Sequence, residues 1–263
     1  MLLPHDDVGS GSAMVLLHAG IADRTMWAEH LRPLADAGYR VVAMDLPGFG
    51  EAPPADEDAP WSDVVQTLDA LNIDRAALVG NSFGGAVALR VAVVAPDRVT
   101  AMALVSAPPP DLEPSAELQA AWEAEESALE RGDIEATVGA VLDAWLLADA
   151  PAALRDRVAA MQRHAFEVQA AAGEATEADD PLEAHPGVLE GLGIPVLVAA
   201  GELDMPDFRI GAEALAQNLR GARHAVIAGA RHLAPLEQPE AFRELLLGFL
   251  LEASSLRWRV DGV

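Results

Sequence analysis

Ser82 stands at the centre of Gly80-Asn81-Ser82-Phe83-Gly84, after the apolar run Ala76 to Val79 and before the small-residue amphipathic run Gly85 to Val94. A serine between a strand and a helix must turn the chain within one residue. Such a corner strains its backbone and pushes its hydroxyl into the open. The positions two before and two after then have no room for a Cβ, and both are glycine. A hydroxyl displayed this way is a candidate nucleophile. Serine is a poor one near neutral pH unless a base sits beside it, oriented in turn by a third group.

His232 is the candidate base. It follows the run Ala222 to Ile227 and the turn Gly229-Ala230-Arg231, which places it on a loop at the carboxyl end of a strand. The other histidines fit less well. His5 is expected in a frayed terminus, His30 on a surface helix, His164 and His185 in an insertion, and His224 inside a strand; His18, beside Gly20, reads as structural. Asp204, in Gly201-Glu202-Leu203-Asp204, is the candidate orienting acid, with Glu202, Asp207 and Asp111 as alternatives. A carboxylate there accepts the imidazole N–H and stabilises the imidazolium. An oxyanion hole needs two backbone N–H groups. Phe83, opening the helix after the corner, supplies one. Gly20, in the loop His18-Ala19-Gly20-Ile21, supplies the other, with Ile21 second.

These residues need a rigid frame. Short apolar runs predict strands at Met14–Leu17, Arg40–Met44, Ala76–Val79, Val99–Val105, Pro195–Ala200 and Ala222–Ile227. Amphipathic runs predict helices at Met26–Ala37, Trp61–Leu71, Ile210–Asn218 and Pro239–Leu251. Continuously apolar strands separated by helices indicate an α/β fold, a doubly wound and mostly parallel sheet covered on both faces. From Pro108-Pro109-Pro110 the chain turns Ala/Glu-rich and helical in period. The expected division is a core of residues 1–106 and 193–263 with a helical lid, or cap, at 107–192, lying over the carboxyl edge where such sheets bind ligands. An exposed acidic loop is expected at Gly173–Asp180. Ile21, Trp122, Trp145, Met161, Phe166 and Leu233 are candidate pocket residues; Trp122 and Trp145 could equally anchor the lid's own core.

Composition bounds the partners. In 263 residues, 51% hydrophobic, there is no cysteine, so thiolate chemistry and disulfides are excluded. All 17 basic residues are arginine, and the formal net charge of −25 argues against nucleic acid or an anionic membrane as partner. No apolar stretch approaches the ~20 residues needed to span a bilayer, and the first residues lack a signal-peptide pattern. The expectation is a soluble cytoplasmic protein, monomer or homodimer, that acts on a small molecule.

The chain resembles the α/β-hydrolase superfamily over nearly all its length. The matching segments are His18-Ala19-Gly20, Asp45-Leu46-Pro47-Gly48-Phe49-Gly50, Gly80 to Gly85, Gly201 to Asp204, and His232 followed by Glu237-Gln238-Pro239. The order Ser82, Asp204, His232 is that fold's triad order. The resemblance implies a serine hydrolase acting on a small carboxylic ester, lactone or related acyl compound through an acyl-enzyme, with no metal or organic cofactor. Asp45 belongs to a structural loop in that pattern. Serine at 82 sets the chain apart from similar members that use aspartate there, the haloalkane dehalogenases and epoxide hydrolases. Gly-Asn-Ser-Phe-Gly-Gly looks like the elbow of carbon–carbon bond hydrolases, but Ala19-Gly20-Ile21-Ala22 and Leu233 depart from their pattern. That chemistry, a cofactor-free perhydrolase, and a ligand-sensing or regulatory protein with little turnover are the alternatives. Members usually carry two strands before the His-Gly loop, where only Met1 to Val8 is available. Arg257-Trp258-Arg259-Val260-Asp261 alternates like a strand and is expected either as a substitute edge or as a disordered tail.

Overall fold

The computed structural model describes residues 1–170, 175–185 and 187–260, the last five as backbone alone. The elements in chain order are β1 (His5–Gly9), β2 (Ser12–Leu17), α1 (Ala28–Asp36), β3 (Tyr39–Met44), β4 (Glu57–Asp58), α2 (Pro60–Ala70), β5 (Ala76–Asn81), α3 (Phe83–Val94), β6 (Val99–Val105), α4 (Ala116–Glu130), α5 (Ile134–Trp145), α6 (Ala152–Ala170), β7 (Thr176–Glu177), α7 (Pro181–Ala184), β8 (Val196–Gly201), α8 (Pro206–Asn218), β9 (Arg223–Ile227), α9 (Ala234–Glu237) and α10 (Pro239–Val260). Seven strands form one sheet in the order β1-β3-β2-β5-β6-β8-β9. Every pairing is parallel except that of β1 with β3.

Successive side chains of a strand point to opposite faces, so a sheet covered twice must be apolar at every position. That is how the inner strands β2, β3, β5, β6 and β8 read over most of their length, whereas the edge strands β1 and β9 are largely polar or exposed. Met14, Leu16, Val41, Ala43, Val79, Ala103 and Val105 join the core beneath α1 and α10, with Trp27, Leu34, Phe242 and Phe249. Their neighbours Val15, Leu17, Val42, Met44, Leu78, Met102 and Leu104 join the second core, with Val64 and Leu68 of α2, Val87 and Val91 of α3, and Ala212 and Leu215 of α8. Among the described residues no helix is long and apolar enough to cross a membrane.

The structure departs from the sequence reading in several places. Residues 257–260 continue α10 as helix and form no edge strand, so the edges are β1 and β9; Asp261 lies outside the described residues. Burial of Phe242, Phe249 and Ala253 along one stripe carries the helix past its expected end at Leu251. His5 is not frayed: it pairs with Met44 in β1, its Nδ1 2.8 Å from Leu3 O. His30, expected at the surface, is fully buried. Its ring meets Trp27 and Phe242 edge-on, and its Nε2–H donates to Pro235 O at 3.0 Å. Within the acidic stretch expected to be loop, Thr176–Glu177 pairs with Glu57–Asp58 as a second, two-stranded sheet; residues 173 and 174 lie outside the described set.

Between β6 and β8 the chain forms the three long helices α4, α5 and α6, with α4 packed on α5 and α5 on α6. Helix α6 is tied down onto the loops that follow β2 and β3. Gln169 Nε2 donates to Gly48 O (3.2 Å), His164 Nε2 to Gly50 O (3.0 Å), and the Arg157 guanidinium to Thr25 O.

Candidate active site

Strand β5 passes to helix α3 through Ser82 alone, at φ 52° and ψ −116°. For a residue with a Cβ this left-handed region costs of order 1–3 kcal/mol, so neighbours must hold it. The Ser82 N–H donates to Val105 O at 2.8 Å, Ser82 O accepts from the Gly85 and Ala86 amides, and the Gly84 N–H donates to His18 O at 3.0 Å. The glycines supply the clearance. A Cβ on Gly80 would sit 2.3 Å from Gly84 O, one on Gly84 2.2 Å from Leu17 O, and one on Gly85 2.6 Å from the Ala107 Cβ. Ser82 itself is only half-buried.

Strand β8 ends at Gly201, and Asp204 follows on the rim loop. Strand β9 ends at Ile227, and the next loop delivers His232. The His232 Nδ1 lies 3.1 Å from both Asp204 carboxylate oxygens, and Asp204 Oδ1 also accepts the Met205 N–H at 2.8 Å. Both side chains are almost wholly buried. With Nδ1–H donating to a carboxylate, Nε2 is left as the acceptor, which is the tautomer a general base requires. The imidazole packs against two aromatic rings that also touch each other, Trp145 at a centroid distance of 4.5 Å and Phe208 at 4.4 Å. These rings keep water from the Asp204–His232 pair, where a lower dielectric strengthens their attraction.

Asn81 connects the two loops. Its Nδ2 donates to Val105 O (3.0 Å) and to His232 O (3.1 Å), so the residue before Ser82 grips the residue proposed from sequence as its base. The alternative acids are occupied elsewhere. Asp207 accepts the Ser115 N–H and Oγ–H, both at 2.7 Å, Glu202 accepts the Gly229 N–H at 2.9 Å, and Asp111 is exposed. Asp45 is buried and accepts from the Arg24 and Glu51 amides, beside the Arg24 guanidinium. It braces the loop after β3.

The Phe83 amide opens α3, where a helix's first N–H groups lack intrahelical acceptors. A Cβ on Gly20 would lie 3.5 Å from the Phe83 Cβ, so the loop after β2 runs beside that amide. His18 holds the loop. Its Nε2 accepts the Leu46 N–H at 2.9 Å and its Nδ1–H donates to Ala19 O at 2.8 Å. Burial pushes the His18 imidazole below its ordinary range, which keeps it neutral in this role.

The six pocket candidates separate. Ile21 and Phe166 pack with Trp145 against Leu118, Val141, Met205 and Phe208, a cluster that roofs His232. Met161 and Leu233 are buried in the core beneath α1 and α10, so they support the rim. Trp122 is 44% exposed on a helix that buries only Leu118 and Ala128, so it does not anchor a helical core. Asn81 and Phe208 had no assigned role from sequence. The motif position of Asn81 was a usable signal, whereas Phe208 lay in a stretch expected to precede its helix. Among the described residues, no group of three or more His, Asp or Glu side chains is arranged to hold a metal ion.

Comparison with known proteins agrees with this architecture. A family model described as alpha/beta hydrolase fold matches residues 12–239. A 2-hydroxy-6-oxo-6-phenylhexa-2,4-dienoate hydrolase of Comamonas testosteroni is 39% identical over 112 residues, a stretch that covers 40% of this chain and only 39% of that relative. Among solved structures, an N-acyl homoserine lactone degrading enzyme superposes with a TM-score of 0.74 at 26% identity, covering 94% of this chain and 96% of the other. The enol-lactonase of Burkholderia xenovorans gives 0.75 at 25% identity, covering 95% and 96%.

Proposed function

The chain belongs to the α/β-hydrolase fold family, and from that premise we propose that it is a serine hydrolase of small carboxylic esters or lactones. The observation that carries this is the Ser82 corner, φ 52° on a half-buried rim residue, tethered through Asn81 to a histidine already paired with Asp204. In this reading Ser82 Oγ attacks the carbonyl carbon while His232 Nε2 takes its proton. The oxyanion forms against the Phe83 and Gly20 amides, and Asp204 stabilises the imidazolium. The imidazolium then returns its proton to the leaving alkoxide. Water, with His232 again as base, releases the acid and regenerates Ser82. The rings of Trp145 and Phe208, with Ile21 and Phe166, give the site an apolar wall on the side of α5, which we read as part of a lid.

The test is a panel of short p-nitrophenyl esters, γ- and δ-lactones, acyl homoserine lactones and 6-oxo-dienoates, run with the wild-type protein and Ser82→Ala. Ester or lactone turnover that falls at least about 10³-fold in Ser82→Ala supports the reading. Turnover untouched by that substitution removes Ser82 as nucleophile, and no turnover of any panel member favours a ligand-sensing role. Carbon–carbon hydrolysis is the second reading, favoured by the 39% identity to the dienoate hydrolase. Turnover confined to the dienoates would establish it.

A further inference from the structure

Glu237, in the Glu237-Gln238-Pro239 segment after the histidine, has no part in the chemistry above, yet its carboxylate bridges two distant parts of the chain. Its Oε2 accepts the Arg231 N–H at 2.6 Å, the peptide just before His232. Its Oε1 accepts the Leu147 N–H at 2.8 Å, from a residue 90 positions away and two beyond Trp145. Trp145 is a ring that packs, tilted, against His232. One side chain therefore grips the base's loop and the end of the helix that carries the base's aromatic cover.

We propose that Glu237 is a positioning residue that locks helix α5 to the His232 loop, so that the Trp145 ring and the imidazole are held in register. The inference rests on the hydrolase reading only for its kinetic consequence. Both partners are N–H donors, so the lock needs two acceptor oxygens on one group, which only a carboxylate provides here. Glutamine supplies one oxygen and turns an NH₂ group against the other N–H. Asn81 and Asp204 hold His232 itself but do not reach α5, and the two bonds at Gly229 do not substitute for the lock either. Gln238 Nε2 donates to Gly229 O and Glu202 Oε2 accepts from the Gly229 N–H, three residues short of His232, and neither touches α5. A cavity of about 370 Å³, lined by Glu237 itself with Leu147, Ala150, Pro151, Leu154 and Leu236, leaves the segment that follows α5 packed on one side only at the lock.

The experiment labels the protein's tryptophans with 5-fluorotryptophan and follows the Trp145 fluorine resonance, assigned with Trp145→Phe, in the wild-type protein and Glu237→Gln. Kinetics on an ester from the panel run in parallel. The expected result is a displaced or broadened Trp145 resonance, with the other tryptophans unmoved, and kcat lowered about tenfold while KM stays within about threefold. An unmoved Trp145 resonance overturns the lock. A moved resonance with unchanged kcat overturns its role in positioning the base. A loss of melting temperature with kcat unchanged at permissive temperature also overturns it, because that is a purely structural effect. If Glu237→Gln does not fold, Glu237→Asp keeps the charge but falls short of Leu147, and the same resonance must move. A wild-type protein without turnover would sink the hydrolase reading, while the fluorine arm would still decide the lock on its own.

Discussion

Within four residues, Gly229 to His232, the rim loop receives side-chain bonds from Glu202, Gln238, Glu237, Asp204 and Asn81. Helix α4, more than three times longer, buries only Leu118 and Ala128 and leaves Trp122 44% exposed. The loop's geometry is over-determined by five side chains from three stretches of the chain, which suits the role proposed for His232. The outer helix packs along α5 but buries few of its own side chains, so its exposed face tolerates change. Chemistry and coverage are thus built to different tolerances, and substitutions in the two regions should differ accordingly.

The largest effect belongs to the rim. Asp204→Asn should lower kcat about 10³–10⁴-fold by allowing the wrong imidazole tautomer, with an unchanged fold by circular dichroism. A loss under tenfold would mean that the loop is less exacting than its bonds suggest. Next is Gly84→Ala, whose Cβ would meet Leu17 O at 2.2 Å. Overpacking against backbone should cost about 3 kcal/mol or more in urea unfolding, or prevent folding.

A smaller effect lies behind the rim at His30. Burial lowers its pKa to about 4, the bond to Pro235 O opposes that, and Arg243 and Arg157 lower it further. The unfolded chain binds the proton near pH 6.5 and the folded one only near 4. Stability should therefore fall by about 3 kcal/mol as pH drops through that window, with no further contribution below it. His30→Gln should flatten the stability curve between pH 6.5 and 4; an unchanged slope would show that other groups carry the acid sensitivity. The smallest effect is expected on α4. Trp122→Ala should change stability by no more than about 0.5 kcal/mol and leave kcat/KM unaltered. A clear loss of turnover would mean that α4 contacts the substrate, and the contrast with the rim would fail.

The sheet was legible because a strand buried on both faces must be continuously apolar, and the runs at Val99–Val105 and Pro195–Ala200 admit little else. Ser82, Asp204 and His232 stood out because each follows such a run at the rim. Whether they converge is decided by tertiary packing. So are the roles of Asn81 and Phe208, which depend on where a side chain lands across the sheet. The tail misled because the alternation in Arg257–Val260 is short, and helix α10, buried as far as Ala253, runs on through it. Helix α4 showed its period but not its inner face, since Ala and Glu are tolerated on either side of a thinly packed helix. That is also why substrate choice does not follow from the motifs.

The most direct measurement is covalent labelling with a fluorophosphonate, followed by mass spectrometry of the tryptic peptide 76–90, which arginines at 75 and 90 release. The phosphonyl group should appear on Ser82, and His232→Ala should slow its attachment at least about 10²-fold. An adduct on another residue, or labelling at full rate without the imidazole, would contradict the pairing of nucleophile and base.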